Sequence, residues 1–145
     1  MSTVPFSPEY SSATKSFVLG VLLGEGFEYD PMKDSDLDDI EGVYLEKGGG
    51  FFLFLDDGEI IGTSAVKPLG SGICEIKRIY VKKECRGKGI GSDMFERALE
   101  YAGENFSVVR LKTDLSLETA IAMYLKKGFT VTKEEKGTIY FEKVL

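Results

Sequence analysis

Hydrophobic positions in the first third of the chain recur with a helical period. Apolar residues at 13, 17, 18, 21 and 22 predict an amphipathic helix over 12–24. A second helix is predicted to begin at Asp34 or Ser35 and to end at the glycines 48–50. Its apolar face would consist of Leu37, Ile40 and Tyr44.

Three apolar, β-prone runs follow at 51–55, 59–66 and 72–81. Asp56-Asp57-Gly58 is typical of a hairpin turn between the first two runs, and Pro and Gly residues at 68–72 mark the next turn. Strands joined by such short turns pair antiparallel, so this part of the chain predicts a meander rather than alternating βαβ units.

The pattern changes in the second half. Apolar residues at 90, 94, 95, 98, 99 and 102 form a helical stripe, and a strand is predicted at 108–113. A helix around 120–125 ends at Lys126-Lys127-Gly128, the order that a helix dipole and a left-handed cap favour. Strands at 129–132 and 138–144 complete a predicted α+β fold.

The chain has 145 residues and no repeat, low-complexity tract or linker, which predicts a single domain over 1–145. It is 43% hydrophobic and 29% charged, as in ordinary globular proteins. The longest apolar run, 17–23, is far below the roughly 20 residues of a membrane span. No secretory signal is recognisable, so we expect a cytoplasmic protein without membrane contact.

Histidine is absent, and this excludes several classes of catalytic site. Ser-His-Asp and Cys-His machinery, histidine bases and histidine metal ligands are all ruled out. Cys74 and Cys85 have no zinc-site spacing, and no metal site is predicted. Proton transfer must therefore use carboxylates, Tyr, Lys, Cys or water.

The net charge of −6 is unevenly distributed. Residues 1–70 carry 4 basic and 13 acidic side chains, whereas residues 71–97 carry 7 basic and 4 acidic ones. An acidic protein with one basic segment is not expected to bind nucleic acid, but the segment favours a confined anion site.

The basic segment contains the glycine-rich turn Arg86-Gly87-Lys88-Gly89-Ile90-Gly91, which lies between a predicted strand and a predicted helix. Glycines let backbone N–H groups approach a ligand, and the helix N-terminus adds about half a positive charge. The turn is therefore either a pyrophosphate site or a plain strand-to-helix connection. No P-loop string occurs, and the dinucleotide pattern GxGxxG fails at Ser92, although a dinucleotide-binding domain stays an alternative.

Arg86-x-x-Gly89-x-Gly91 resembles the R/QxxGxG/A signature of the GNAT acyltransferase superfamily. Residues 75–81 (EIKRIYV) resemble the family's cofactor-binding strand, and residues 119–129 (TAIAMYLKKGF) resemble its AI-x-x-Y-x-x-x-GF element. The resemblance implies a central twisted, mostly antiparallel sheet of six to seven strands flanked by about four helices. It also implies acetyl-CoA as co-substrate and acetyl transfer to a primary amine in a ternary complex.

The resemblance further implies which residues bind acetyl-CoA. The pantetheine arm would pair with the strand like an extra strand, and the pyrophosphate would lie on the turn. The strand residues would be Ile79, Tyr80 and Val81, and the turn residues would be Arg86, Gly87, Lys88, Gly89, Ile90, Gly91 and Ser92.

Two residues are implied as catalytic. Tyr124 matches the general acid that protonates the CoA thiolate, with helix-face packing as the alternative. Glu75 lies where some members carry a glutamate base, but it could simply pair with a neighbouring Lys or Arg, and ordered water could be the base instead. Glu75 is expected on one face with Lys77, Ile79 and Val81 unless a bulge changes that parity. Leu117 replaces the asparagine often found before the AI element, so the amide contact to the cofactor is either absent or supplied by Asp114 or Ser116.

The acceptor amine is not identified by the sequence. The acidic stretch 25–46 leads to the hypothesis that it attracts a cationic acceptor, small molecule or protein amine, with a solvated helix face as the alternative. A non-catalytic acyl-CoA-binding sensor is the second functional hypothesis, and a homodimer is an open possibility.

Overall fold

Seven strands and three α-helices make up the fold in the computed structural model, which describes residues 2–145. In chain order these elements are β1 (Ser2–Pro5), α1 (Ser11–Gly24), β2 (Gly50–Asp56), β3 (Glu59–Gly70), β4 (Ile73–Val81), α2 (Ile90–Asn105), β5 (Val108–Asp114), α3 (Glu118–Lys126), β6 (Thr130–Glu135) and β7 (Thr138–Val144).

All seven strands belong to one sheet in the order β1-β2-β3-β4-β5-β7-β6. β4 and β5 are parallel and connected through α2, whereas the other neighbours are antiparallel. The predicted α+β class with a mostly antiparallel sheet is therefore confirmed.

The predicted helix beginning at 34 or 35 is wrong as a continuous α-helix. The chain forms a 3-10 turn at Ser35–Asp38 and then a π-helical turn at Glu41–Leu45, in place of the fourth helix. The Asp39 carboxylate accepts a hydrogen bond from the Gly42 N–H (3.0 Å), and such local side-chain bonding competes with regular helix formation. Strand β1 has no counterpart among the predicted elements.

Two apolar clusters cover opposite faces of the sheet. The larger cluster lies beneath α2 and α3, and α2 contributes Ile90, Met94, Phe95, Ala98 and Ala102, the predicted stripe. The smaller cluster lies on the other face and combines residues of β2 and β3 with Ile40 and Tyr44. Within residues 2–145, no helix is both long and apolar enough to cross a membrane.

Candidate functional site

The strands β4 and β5 separate in the middle of the sheet. They pair only from Ile73 opposite Val108 to Glu75 opposite Arg110. Beyond that point β4 continues to Val81 beside β3, and β5 continues to Asp114 beside β7. The separation leaves a V-shaped opening, which we call the splay, and the edge of β4 that faces it can pair with an extended ligand.

A β-bulge at Arg78 lies beside the splay. Tyr80 is opposite Thr63 and Lys77 is opposite Ala65, so β4 has one extra residue between these pairs. Arg78 has φ 57°, and its carbonyl accepts a hydrogen bond from the Thr63 hydroxyl (2.8 Å). A bulge places two successive residues on one face and reverses the alternation that follows.

Because of the bulge, Glu75 does not share a face of β4 with Ile79 and Val81, although regular alternation would predict that it does. Ile79 and Val81 pack against the α2-side cluster, as do Cys74 and Ile76 before the bulge. Glu75 alternates with these residues and therefore lies on the opposite face, without Ile79 and Val81.

A cleft of about 310 Å³ lies between the end of β4 and the start of α2. Eight of the predicted cofactor-binding residues line it, together with Glu25 and Cys85, which the sequence did not indicate. Lys88 and Ser92 are exposed and do not belong to its lining in the described part of the chain. The eight residues are Ile79, Tyr80, Val81, Arg86, Gly87, Gly89, Ile90 and Gly91.

The backbone of the glycine-rich turn is suited to an anion. Gly87 and Gly89 have φ 81° and 83°, in the left-handed region that favours glycine. A Cβ at either position would meet no atom within 4 Å, so the backbone is open to the cleft. Gly89 immediately precedes α2, whose first N–H groups and dipole favour negative charge.

Arg86 connects the two sides of the cleft. Its Nε donates a hydrogen bond to the Val81 carbonyl (3.1 Å), and its terminal nitrogen lies 3.4 Å from the Glu25 carboxylate. The guanidinium is thereby held beside the turn, where it adds positive charge.

Tyr124 lies in α3 on the α2 side of the sheet. Its ring centroid is 5.3 Å from that of Phe95, 5.5 Å from that of Phe141 and 6.2 Å from that of Phe129. Burial raises the pKa of its phenol, and its hydroxyl has no hydrogen-bond partner within residues 2–145. The ring is fixed by packing while the protonated hydroxyl is left available, although Tyr124 does not line the cleft in the described structure.

Glu75 lies on the other side of the sheet at the last paired position before the splay. It is half-buried and directly opposite Lys67 on β3 and Arg110 on β5. Glu75 and Tyr124 are therefore on opposite sides of the splay, and the structure does not bring them into contact.

A buried ion-pair network anchors the bulge, and the sequence reasoning missed it. Arg78 is 8% exposed and donates hydrogen bonds to both Asp36 oxygens (2.6 and 3.0 Å), to Asp34 (3.0 Å) and to the Tyr80 hydroxyl (3.3 Å). The Tyr44 hydroxyl donates to Asp36 (2.5 Å). Regular alternation would place Arg78 at a buried position beside Cys74 and Ile76, where a guanidinium requires a partner. The bulge instead turns Arg78 to the opposite face, where Asp36 and Tyr44 lie, and the sequence carried no signal for that.

The network determines the protonation of Asp36. Burial alone would raise its pKa, but the hydrogen bonds from Arg78 and Tyr44 outweigh burial and leave the pKa below its usual value. Burial and the hydrogen bond to Asp36 raise the pKa of Tyr44. Asp36 is therefore ionised and Tyr44 neutral at physiological pH.

Six of the nine carboxylates in the acidic stretch 25–46 have partners within the protein. This internal pairing accounts for much of the negative charge, and steering of a cationic acceptor stays a prediction. The pairs are Glu25 with Arg86, Asp34 and Asp36 with Arg78, Asp38 with Lys15 and Tyr29, Asp39 with the Gly42 N–H, and Asp30 with the Met32 N–H.

Asp114 organises the turn before α3. One of its oxygens accepts hydrogen bonds from the Ser116 N–H (2.8 Å) and hydroxyl (2.6 Å), which lower its pKa. Leu117, at the position where the resemblance would place asparagine, is exposed just before the helix. Asp114 thus has a structural role in this turn.

Comparison with known proteins identifies the family. The acetyltransferase (GNAT) family model matches residues 17–129. An uncharacterised N-acetyltransferase, YjgM of Escherichia coli, is 34% identical over 66% of this chain and 60% of its own length. N-acetyltransferase 8 of Mus musculus is 32% identical over 69% of this chain and 47% of its own length, so the chain spans about half of these relatives.

Solved structures share the fold at low identity. A GNAT-family acetyltransferase from Staphylococcus aureus has a TM-score of 0.84 at 22% identity, covering 99% of this chain and 98% of its own. The PaiA N-acetyltransferase of Thermoplasma acidophilum, solved with coenzyme A, has a TM-score of 0.74 at 20% identity over the whole of both chains. The family match, the splayed strands and the glycine-rich turn agree, and the chain belongs to the GNAT acetyltransferase family.

Proposed function

We propose that this protein is an N-acetyltransferase that transfers the acetyl group of acetyl-CoA directly to a primary amine. The observation that carries the proposal is the glycine-rich cleft at the N-terminus of α2, placed beside the splay of β4 and β5. Support also comes from fold neighbours solved with coenzyme A (PaiA) and with acetyl-CoA (YncA of Salmonella typhimurium).

The residues of the cleft fit the parts of acetyl-CoA. Gly87–Ser92 bind the pyrophosphate through backbone N–H groups, with Arg86 and Lys88 adding charge. Ile79, Tyr80 and Val81 present backbone groups to the pantetheine arm in the splay. A β4 N–H donates a hydrogen bond to the thioester carbonyl oxygen. Losing such a donor typically costs roughly 3–4 kcal/mol of transition-state stabilisation.

Acetyl-CoA supplies the acetyl group as an activated thioester, and the protein moves two protons. The acceptor enters as an ammonium ion and loses a proton to Glu75 or to ordered water. Its nitrogen then forms the C–N bond as the C–S bond breaks, and loses its second proton to solvent as the neutral amide forms. Tyr124 donates its phenolic proton to the departing sulfur, so that free CoA thiol is released.

Glu75→Gln tests the base. The variant should lower kcat at least tenfold at neutral pH, because an amine of pKa ~10.4 is then almost entirely protonated. The loss should shrink as the pH approaches 10 and free amine becomes abundant in solution. The measurement is the pH profile of CoA release. An unchanged profile would assign the proton to ordered water.

The acyl-CoA-binding sensor and the dinucleotide-binding domain predict different results in a two-part experiment. Calorimetric titration should show binding of acetyl-CoA and none of NAD. Thiol release should then be measured with a panel of amines, and amine-dependent release is the expected result. Acetyl-CoA binding without release for any amine would favour the sensor, and binding of NAD alone would favour the dinucleotide domain.

A further inference from the structure

Two lysines flank the splay on the face opposite α2. Lys77 follows Glu75 by two residues on β4, and Lys112 follows Arg110 by two residues on β5. Because Glu75 and Arg110 are the last paired residues, these lysines are the first side chains beyond the pairing on that face. An entering ligand would pass between them.

Neither lysine forms an ion pair within residues 2–145. No carboxylate lies within 4 Å of either ammonium group, whereas Arg110 next to them pairs with Glu142 at 2.9 Å. Lys77 is half-buried, and this burial lowers its pKa while Glu75 and Asp36 act in the opposite direction. A half-buried, unpaired ammonium is costly and gains most from an anionic ligand.

We propose that Lys77, together with Lys112, binds a carboxylate of the acceptor, so that the substrates are amines that carry a free carboxylate, such as amino acids. The inference rests on the proposed acetyl transfer, because it specifies which amine enters the splay. Two other cations nearby are paired: Arg78 with Asp34 and Asp36, and Arg110 with Glu142. Lys67, opposite Glu75 on β3, is like Lys77 in having no carboxylate within 4 Å among the described residues.

The spacing along β4 suits a small zwitterion. Only the bulge residue Arg78 separates Lys77 from Ile79, where the segment proposed for the pantetheine arm begins. A carboxylate held at Lys77 would therefore place the acceptor beside that segment. Glu75 lies on the same face to receive its proton.

Matched acceptors and variants test the proposal. Glycine, β-alanine, 4-aminobutyrate and the common L-amino acids would each be compared with their amides in CoA release. At least one acid should exceed its amide tenfold in kcat/KM. Lys77→Met should lower kcat/KM for that acid about 10- to 100-fold through KM, as expected for a lost charge-assisted hydrogen bond.

Several readouts separate binding of the carboxylate from a general defect. Lys77→Met should leave turnover of the amides and the affinity for acetyl-CoA unchanged. Lys112→Met should lower kcat/KM for the acid by a smaller factor. Lys77→Arg should retain most of the preference for the acid over its amide. The matched control is Lys47→Met. Lys47 is exposed and adjoins Gly48, whose carbonyl accepts a hydrogen bond from Tyr101 near the opposite end of α2 from the turn.

Titration of the same acids into the complex with CoA needs no turnover and keeps the two proposals apart. Binding of an acid that Lys77→Met abolishes would support the carboxylate site even if no acetyl transfer occurred. Equal use of acids and amides, or equal loss for both in Lys77→Met, would overturn the carboxylate site while leaving acetyl transfer intact.

Discussion

Replacing Arg78 with methionine should lower the free energy of unfolding by about 3–5 kcal/mol. Methionine retains the apolar stem but leaves Asp34 and Asp36, each less than 10% exposed, without their guanidinium partner. Their mutual repulsion and burial then act against folding. Urea unfolding followed by circular dichroism measures the loss.

The pH dependence distinguishes this cause from a simple packing defect. In the native protein the pKa of Asp36 is depressed, so its contribution to stability is complete at neutral pH and is lost as the pH falls through that value. In Arg78→Met the Asp36 carboxylate has lost the guanidinium, so burial raises its pKa. Protonation of Asp36 as the pH falls then removes part of the cost of burying an unpaired charge. The difference in free energy of unfolding between the native protein and Arg78→Met should therefore be smaller at pH 4.5 than at pH 7.

Two further variants control the experiment. Arg78→Lys keeps the positive charge but loses the planar set of guanidinium donors. Its free energy of unfolding should therefore lie between those of the native protein and Arg78→Met. Lys82→Met removes an exposed ion pair with Glu59 and should hardly change stability. A gap for Arg78→Met that is below 1 kcal/mol, or identical at both pH values, would contradict the assigned role of the network.

Local patterns predicted what local interactions determine. The apolar stripe of α2 and the glycine-rich turn before it are visible in the sequence because both depend on neighbouring residues. The break in the helix at 34–45 is not visible, because the local Asp39–Gly42 hydrogen bond is combined with a long-range one, in which Arg78 engages the Asp36 side chain from 42 residues later in the chain. Four residues at Ser2–Pro5 become a strand only because β2 offers them an edge.

Some residues of the candidate site are likewise recognisable from local sequence, and others are placed only by contacts distant in the chain. Residues of the turn and of the end of β4 could be proposed from motif spacing, but Glu25 reaches the cleft from the end of α1 and has no local signal. The bulge at Arg78 depends on pairing with β3 and changes which β4 side chains lie on each face of the sheet. The unpaired state of Lys77 follows from that three-dimensional arrangement and not from the segment EIKRIYV alone.

Tyr124→Phe should lower kcat by a factor of about 100 or more, because a general acid contributes roughly 10²–10⁴-fold. Without the phenol, CoA must leave as a free thiolate. Burial raises the pKa of Tyr124 above its ordinary value, so at neutral pH the phenol is protonated and in the form that the proposed mechanism requires.

The substitution isolates the hydroxyl from the ring. Phenylalanine preserves the contacts with Phe95, Phe129 and Phe141, and the hydroxyl makes no hydrogen bond in the described structure, so stability should be unchanged. Acetyl-CoA affinity measured by calorimetry should also be retained. The loss would then lie in the chemical step, visible as slower single-turnover formation of acetylated amine.

Tyr101→Phe is the matched control for losing a phenol. Its hydroxyl donates to the Gly48 carbonyl (2.9 Å) near the C-terminal end of α2, away from the splay, so kcat should not change. Normal turnover in Tyr124→Phe would show that Tyr124 only packs against its three aromatic neighbours. Because the chain has no histidine, proton delivery to sulfur would then have to come from water or a lysine, and solvent exposure of the splay would become the determinant of rate.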